Sequence, residues 1–583
     1  MTSLPVSFAT FAVKDLKRCS HQQEQNPKSQ RSQRDSAKYA KSKIRNRPIF
    51  SREEPITYTR HDLMEPMQPP VIAQDLLRKD EKKRSDLPWD ISPRAAFGWF
   101  LLILGVGLLL RMVALSKESL WVDEVASWYF ASDLHRALTA ERTNPPLYYT
   151  MLYFWMRWFG TSEAAMRSLS VVPSVLSIGL IYSLGKKLFS RRIALIAALY
   201  MCVSSFHIFY AQEARAFATL TCFLLIHTLA LWYALETPGP KRLLYYAISA
   251  LAGGAALYLH FIALFFISGL GLFVLLRRRG QLLNFIVSSA VAFGLFLPWL
   301  TTMFKAASGG GQHRRYLFLK LPQAYFSFLF GDTLIPLDGE AVAHIRQTLV
   351  HFAPALLAGM LSLGLMLPFL LRAWKRWGDP LTFVLIGATV PVLLAFIVSF
   401  KVMLFDERYL IAASPFIYIA IAASVVELWD SRNSVPGWQR LAGFSAVFVY
   451  SVLLLISLGN YYFNPRFGKE QWREAMAYVE QTQSGKTILI FDPTFLRFNY
   501  DYYQKLHLPY AEIDSRVEQG PDFPARIQGL VAGYDSVWLV RSHSDNSSAL
   551  NILESAMVED DHREFPKAEG IDVWHFRVGV KRP

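Results

Sequence analysis

The chain has 583 residues, 52% hydrophobic and 14% aromatic, with many apolar runs near twenty residues, which excludes a soluble protein and indicates a polytopic helical membrane protein. The formal net charge of +15 is unevenly placed: residues 1–94 hold 19 Lys/Arg against 12 Asp/Glu, whereas residues 461–583 hold 14 against 18. That asymmetry fits a cytoplasmic start and an exported end better than nucleic-acid binding, and Cys19, Cys202 and Cys222 leave no disulfide framework for the C-terminal region.

Residues 1–94, rich in Gln, Ser, Lys and Arg, read as a disordered basic cytoplasmic arm, a solvated tail on anionic lipid rather than a nucleic-acid binder. Phe8 to Val13 is too short for a signal peptide and has no basic residue before it, so the first span is expected to act as its own anchor. That span, about 96–115, leads outward and sets Asp123 and Glu124 just beyond the interface, between Trp121 and Trp128. Asn144-Pro145-Pro146 then opens an aromatic helix to about Gly160, too short to cross and expected to lie along the outer surface.

Lys/Arg clusters set the alternation of the spans that follow. They are placed at about 165–187, 193–211, 216–235, 243–259, 261–276, 282–300, 348–371, 381–400, 409–428 and 441–460, about eleven in all. His260 falls at the outer turn of the fifth and sixth. The stretch from Thr301 to Gln347 reads as a loop long enough for a lid or substrate rim, and its Arg314 and Arg315 run against the charge trend. An odd number of spans leaves residues 461–583 outside, where helix-like stretches (472–481, 549–556) and strand-like ones (487–491, 536–540, 572–576) predict a small α/β domain.

Asp123/Glu124, Asn144, Glu213/Arg215, His260 and Asp406/Glu407/Arg408 thus share one face. Carboxylates there suit the acceptance of a proton from an attacking hydroxyl or amine, and arginines suit a departing phosphate. Adjacent helical residues point about 100° apart, so Asp123 and Glu124 are expected to serve different partners. Each group also has a plain structural use: a helix cap or solvated loop acid for the carboxylates, an interfacial pair for Glu213 and Arg215, a snorkelling anchor for Arg408. His260 ligates a metal only if a carboxylate such as Glu124 or Glu213 stands beside it.

The series Leu120-Trp121-Val122-Asp123-Glu124, Asn144-Pro145-Pro146-Leu147-Tyr148-Tyr149, Glu163 to Arg167, Gln212-Glu213-Ala214-Arg215 and Glu407-Arg408-Tyr409-Leu410 resembles the bacterial membrane glycosyltransferases of the GT-C fold, relatives of the protein O-mannosyltransferases and of the lipid A aminoarabinose transferase. The resemblance covers about 96–460. It implies an all-α GT-C membrane module with a C-terminal α/β domain, and transfer of a sugar from a polyprenyl-phosphate carrier to a glycan, lipid or protein on the extracytoplasmic side of the plasma membrane. It further implies that Asp123 orients or deprotonates the acceptor, that Glu124 and Glu213 position the donor or a divalent cation, and that Arg215 or Arg408 meets the lipid phosphate. Asn144 and Glu407 are expected to position substrate. The aminoarabinose transferase carries Glu-Lys before its Pro-Pro, where this chain has Thr143-Asn144, so those metal and phosphate contacts do not carry over.

The leading expectation is an inverting glycosyltransferase, hexosyl or pentosyl. A transporter or lipid-linked-sugar flippase would place its ionisable residues near mid-membrane, whereas these cluster at the outer rim. A noncatalytic scaffold would lose all function without residues 461–583, whereas the enzyme reading expects residual transfer from the membrane module.

Overall fold

The computed structural model describes residues 91–583 apart from 140–143, 308–316, 337–344, 403, 516–517, 519, 545–547 and 578–583. Nearly all of the expected basic arm, together with His313, Arg314 and Arg315, lies outside the described residues.

Local sequence starts the helices. Ser92 accepts from Ala95 N (3.3 Å) ahead of α1, Pro93–Met112, whose first residue is proline. The short α2, Val122–Ala131, and α3, Leu147–Phe159, precede α4, Glu163–Leu188, which Ser162 caps through Ala165 N. Ser190 and Ser204 likewise cap α5, Arg191–Val203, and α6, Ser205–Ala211. The bundle continues through α7, Phe217–Glu236; α8, Lys241–Leu259; α9, Ala263–Arg277; and α10, Leu282–Ala307. After α11, Leu317–Phe330, it closes with α12, Ala353–Trp377; α13, Asp379–Ser399; α14, Ser414–Ser431; and α15, Gly437–Phe463. Among the described residues nine helices are long and apolar enough to cross a membrane, and α5 with α6 makes a tenth, bent by 60°. The 15-residue α9 stands at the sixth span read from the sequence and brings the total to eleven.

The bend falls at Ser204, whose extended backbone (ψ 114°) interrupts the helical ladder. Carbonyls near the break find a donor in Arg111, the one charged residue within the apolar run of α1. Its guanidinium donates to Met201 O and Cys202 O (3.2 Å each), to Gly107 O (3.0 Å) and to Ser174 Oγ (2.7 Å). In a bilayer such backbone groups have no water to turn to, so a fully buried arginine satisfies the broken turn.

One expectation is corrected. The stretch expected to be a loop from 301 contains α11, and α10 runs on to Ala307. A 14-residue apolar helix is too short to register as a span. Gly331, at φ +85°, ends α11 and turns the chain toward Asp332; a Cβ there would overlap Ser205 Oγ.

Basic clusters gather at one end of the bundle. Arg192 and Arg376 both reach Asp430 (2.8 and 2.9 Å), Arg278 reaches Asp379 (2.5 Å), and Lys187 reaches Glu236 (2.9 Å). Along α4, Lys187 lies about 30 Å from Arg167 at 1.5 Å per residue, so this end is remote from Asp123 and Glu124.

Beyond α15 lies a five-stranded sheet of order β2-β1-β3-β5-β4. β1, Thr487–Asp492, pairs in parallel with β2, Tyr510–Glu512, and β3, Ser536–Arg541; β5, Ile571–Arg577, runs antiparallel between β3 and β4, Val558–Phe565. The sheet domain docks on the Asp123 end of the bundle. Tyr503, at the end of the helix Arg497–Tyr503, accepts from Leu120 N (2.6 Å) and donates to Glu163 Oε1 (2.6 Å), and Lys567 reaches Glu118 at 3.2 Å.

Candidate active site

The first turn of α2 holds both adjacent carboxylates, where the helix dipole favours them, and the turn sends them to different surroundings. Glu124 is fully buried and saturated. Oε1 accepts from Arg167 Nε (2.8 Å) and Ala214 N (2.9 Å), and Oε2 accepts from Arg167 Nη2 (2.7 Å) and Lys469 Nζ (3.1 Å). Arg167 spends its other donors on the carbonyls of Leu115, Glu118 and Ser119 at 2.8–2.9 Å, tying the end of the first helix to α4. Burial opposes ionisation of Glu124, yet the charges of Arg167 and Lys469 hold its carboxyl below the usual range.

Asp123 is 31% exposed and differently placed. Its Oδ2 meets Arg408 Nη1 at 3.1 Å and Arg215 Nη2 at 3.7 Å, so two guanidinium groups from distant segments converge on one carboxylate oxygen. Arg408 is itself oriented by Asp406 at 3.3 Å.

Each residue of Gln212-Glu213-Ala214-Arg215 has a distinct use. Gln212 Nε2 donates to Arg111 O and Val113 O (3.0 and 2.8 Å), satisfying carbonyls at the end of α1, while its Oε1 accepts from Tyr461 (2.6 Å). Glu213 is buried, with no hydrogen bond to either carboxylate oxygen among the described residues; Lys469 Nζ stands 3.8 Å from its Oε1. Burial pushes its carboxyl up, against the pull of Lys469. Ala214 N holds Glu124, and Arg215 meets Asp123.

Glu213, Glu407 and Arg408 line a cavity of about 280 Å³ with Trp121, Tyr210 and Asp332. A much smaller space is lined by Arg215 together with Asn144, Tyr149 and His260. The carboxylate that a metal at His260 would need is not its neighbour. The ring is buried, accepts from Ile262 N at Nδ1 (3.2 Å) and lies 4.4 Å from the Tyr409 ring. Burial and the charges of Arg215 and Arg408 lower its pKa to about 3. Among the described residues no three His, Cys, Asp or Glu side chains are placed together to hold a metal ion.

Three site residues carry no role in the sequence reading. Arg167 lies in a quoted motif, but its partner is 43 residues away. Asp332 depends on the turn at Gly331. Lys469, in Gly468-Lys469-Glu470 just beyond α15, is a buried lysine bonded to Glu124 and to Gln212 O (2.9 Å); its only sequence signal is a charge beside a span end.

Comparison with known proteins agrees with this architecture. The family model for dolichyl-phosphate-mannose-protein mannosyltransferases matches residues 143–301. No curated protein sequence matches the chain. Among solved structures, ArnT from Cupriavidus metallidurans in the apo state is similar over 82% of this chain and 98% of its own, with TM-score 0.53 and 15% identity. The same protein bound to undecaprenyl phosphate gives 0.51 and 14%, with the same coverage. An Archaeoglobus fulgidus oligosaccharyltransferase tethered with an acceptor peptide gives 0.47 and 13%, over 83% of this chain and 75% of its own. The fold is that of the GT-C membrane glycosyltransferases.

Proposed function

We propose that the chain is an integral membrane glycosyltransferase, hexosyl or pentosyl, that moves a sugar from a polyprenyl-phosphate carrier to an acceptor on the extracytoplasmic face. The observation that carries this reading is Asp123, a partly exposed carboxylate held between Arg215 and Arg408, the second of which lines the cavity with Glu213 and Glu407. The acceptor's O–H or N–H attacks the anomeric carbon as the bond to the carrier phosphate breaks. The electron pair leaves with the phosphate and the proton passes to Asp123. Arg215 and Arg408 neutralise the charge developing on the phosphate.

Glu124 is a positioning residue in this scheme: its four hydrogen bonds fix α2 against Ala214, and so Asp123 against Arg215. Asn144, lining the small space beside Arg215, and Glu407, lining the large one, position substrate. An apolar groove of about 470 Å³ between α3, α4 and α7 passes Thr219, one turn beyond Arg215, and suits the carrier chain. The sidedness is supported by the basic clusters at the remote end of the bundle. The transport alternative draws nothing from Arg111, whose hydrogen bonds go to backbone carbonyls and a serine.

The test is Asp123→Asn in the full chain, reconstituted with polyprenyl-phosphate sugars and acceptor extracts. Transfer is expected to fall about a hundredfold to ten-thousandfold with Tm unchanged. Wild-type turnover in the variant refutes the base assignment.

A further inference from the structure

A second cavity, of about 260 Å³, lies where the end of α1 meets the end of α15, walled by Lys117, Phe463, Asn464, Lys469 and Lys567 among others. Most polar groups of this wall are already spent. Tyr461 donates to Gln212 Oε1 and Tyr462 to Leu110 O, Gln212 and Lys469 serve the end of α1 and Glu124, and Lys567 is paired with Glu118 at 3.2 Å. Two are not. Among the described residues the ammonium of the exposed Lys117 has no ion pair or side-chain hydrogen bond, and Asn464, whose Oδ1 accepts from Arg466 N (3.1 Å), has no partner for its amide N–H groups. What this wall leaves over is donors and one positive charge with no carboxylate beside it, so its complement is an anion made of acceptors.

The position of the cavity selects the anion. α1 and α15 are both long and apolar enough to cross a membrane, and Lys117 follows the end of α1 at Met112, where a lysine reaches headgroup level. Leu109, Met112 and Val113 are exposed at that end of α1, and Phe463, which itself lines the cavity, is 85% exposed. An aromatic ring so bare beside a span end suits lipid rather than water. We propose that this cavity seats the headgroup of an anionic phospholipid, its phosphodiester on Lys117 and Asn464 and its acyl chains along Phe463 and the exposed face of α1. The site shares no residue with the apolar groove assigned to the carrier chain, and the inference goes beyond the glycosyltransferase reading without resting on it. Asn464 opens the short turn Pro465–Phe467 that leads to Lys469, so a lipid held between Lys117 and Asn464 ties the exit of α1 to the segment that carries Lys469 to Glu124.

The experiment titrates the full chain in detergent with phosphatidylglycerol, phosphatidylcholine or water-soluble glycerol 3-phosphate and reads the first bound molecule by native mass spectrometry, with no turnover involved. Wild type, Lys117→Gln, Lys117→Arg and Lys401→Gln are measured side by side; Lys401 is an exposed lysine just after α13 that does not line the cavity. Wild type is expected to bind phosphatidylglycerol about fivefold more tightly than phosphatidylcholine, the worth of one lysine against an anionic headgroup. Lys117→Gln is expected to lose that preference, while Lys117→Arg and Lys401→Gln keep it. Because Lys117 is exposed and bonds nothing through its side chain, equal Tm of wild type and Lys117→Gln without lipid is expected to show that the loss is not one of folding. The proposal is overturned if wild type shows no preference, if Lys117→Gln retains it, or if Lys401→Gln loses as much, which would mark a general effect of surface charge. Glycerol 3-phosphate that binds as tightly as phosphatidylglycerol would overturn the lipid and leave a site for a free phosphate.

Discussion

At the scale of single residues, Asp123 and Glu124 are neighbours with opposite surroundings. Their 100° separation was enough to say that they serve different partners; which one is buried and which stays partly exposed was not legible. That depends on Arg167, on the amide of Ala214 and on Lys469, all far away in sequence and brought together only by packing. The sequence reading expected a catalytic part for both acids; in the proposed scheme Asp123 takes the chemistry, and Glu124, with its four hydrogen bonds, the support. The Arg167–Glu124 pair is buried on both sides, so removing one partner strands the other. Arg167→Met is therefore expected to lower stability by about 3 kcal/mol or more, read as a fall in Tm in detergent. An unchanged Tm would show that Lys469 and Ala214 N suffice to hold Glu124.

At the scale of elements, hydropathy located ten apolar runs as full or bent spans and the shorter α9, because each long run has few charges. Short apolar runs likewise located β1, β3 and β5. The misses have separate causes. β4 is an exposed edge strand that reads Glu559-Asp560-Asp561-His562-Arg563-Glu564, with no apolar pattern to find, and the bend at Ser204 depends on Arg111 from another helix. The docking of sheet on bundle makes a prediction at this scale. His543, just after β3, places Nε2 3.1 Å from Glu470 Oε1, and Glu470 Oε2 accepts from Val122 N (3.3 Å), the first residue of α2. Burial disfavours the charged ring, but the hydrogen bond and charge of Glu470, with Glu569 and Asp123 adding theirs, raise its pKa above 6.5. A raised folded-state value means that the stabilisation is complete below the unfolded pKa and is lost as pH rises through the folded one. Tm of the wild type should therefore fall as pH rises above the ordinary histidine value of about 6.5, and His543→Gln should start lower and lose this part of the slope. Parallel profiles would exclude the pair as a contributor.

At the scale of the whole molecule, the segment that joins the bundle to the sheet domain also reaches the carboxylates of the proposed site. The sequence divided the chain into a membrane module and an appended domain, and from that division it expected the module alone to retain some transfer. Lys469 argues otherwise. It follows the last span, yet its ammonium is buried between Glu124 and Glu213 and is held by the Gln212 carbonyl. Next to it, Glu470 is tied to α2 through Val122 N and to the sheet domain through His543, so the same short segment joins the domain and the site. Without its cation, two buried carboxylates face each other, and the turn from Gln212 to Arg215 loses the contact that sets Arg215 against Asp123. A displacement of about 1 Å at a reacting centre costs about a hundredfold in rate. Lys469→Met in the full chain is accordingly expected to lower kcat by about that factor with a smaller change in KM, and Lys469→Arg, which restores the charge with a bulkier head, is expected to recover part of it. A Lys469→Met variant that turns over at the wild-type rate would return the site to the bundle alone and make the sheet domain an accessory to it.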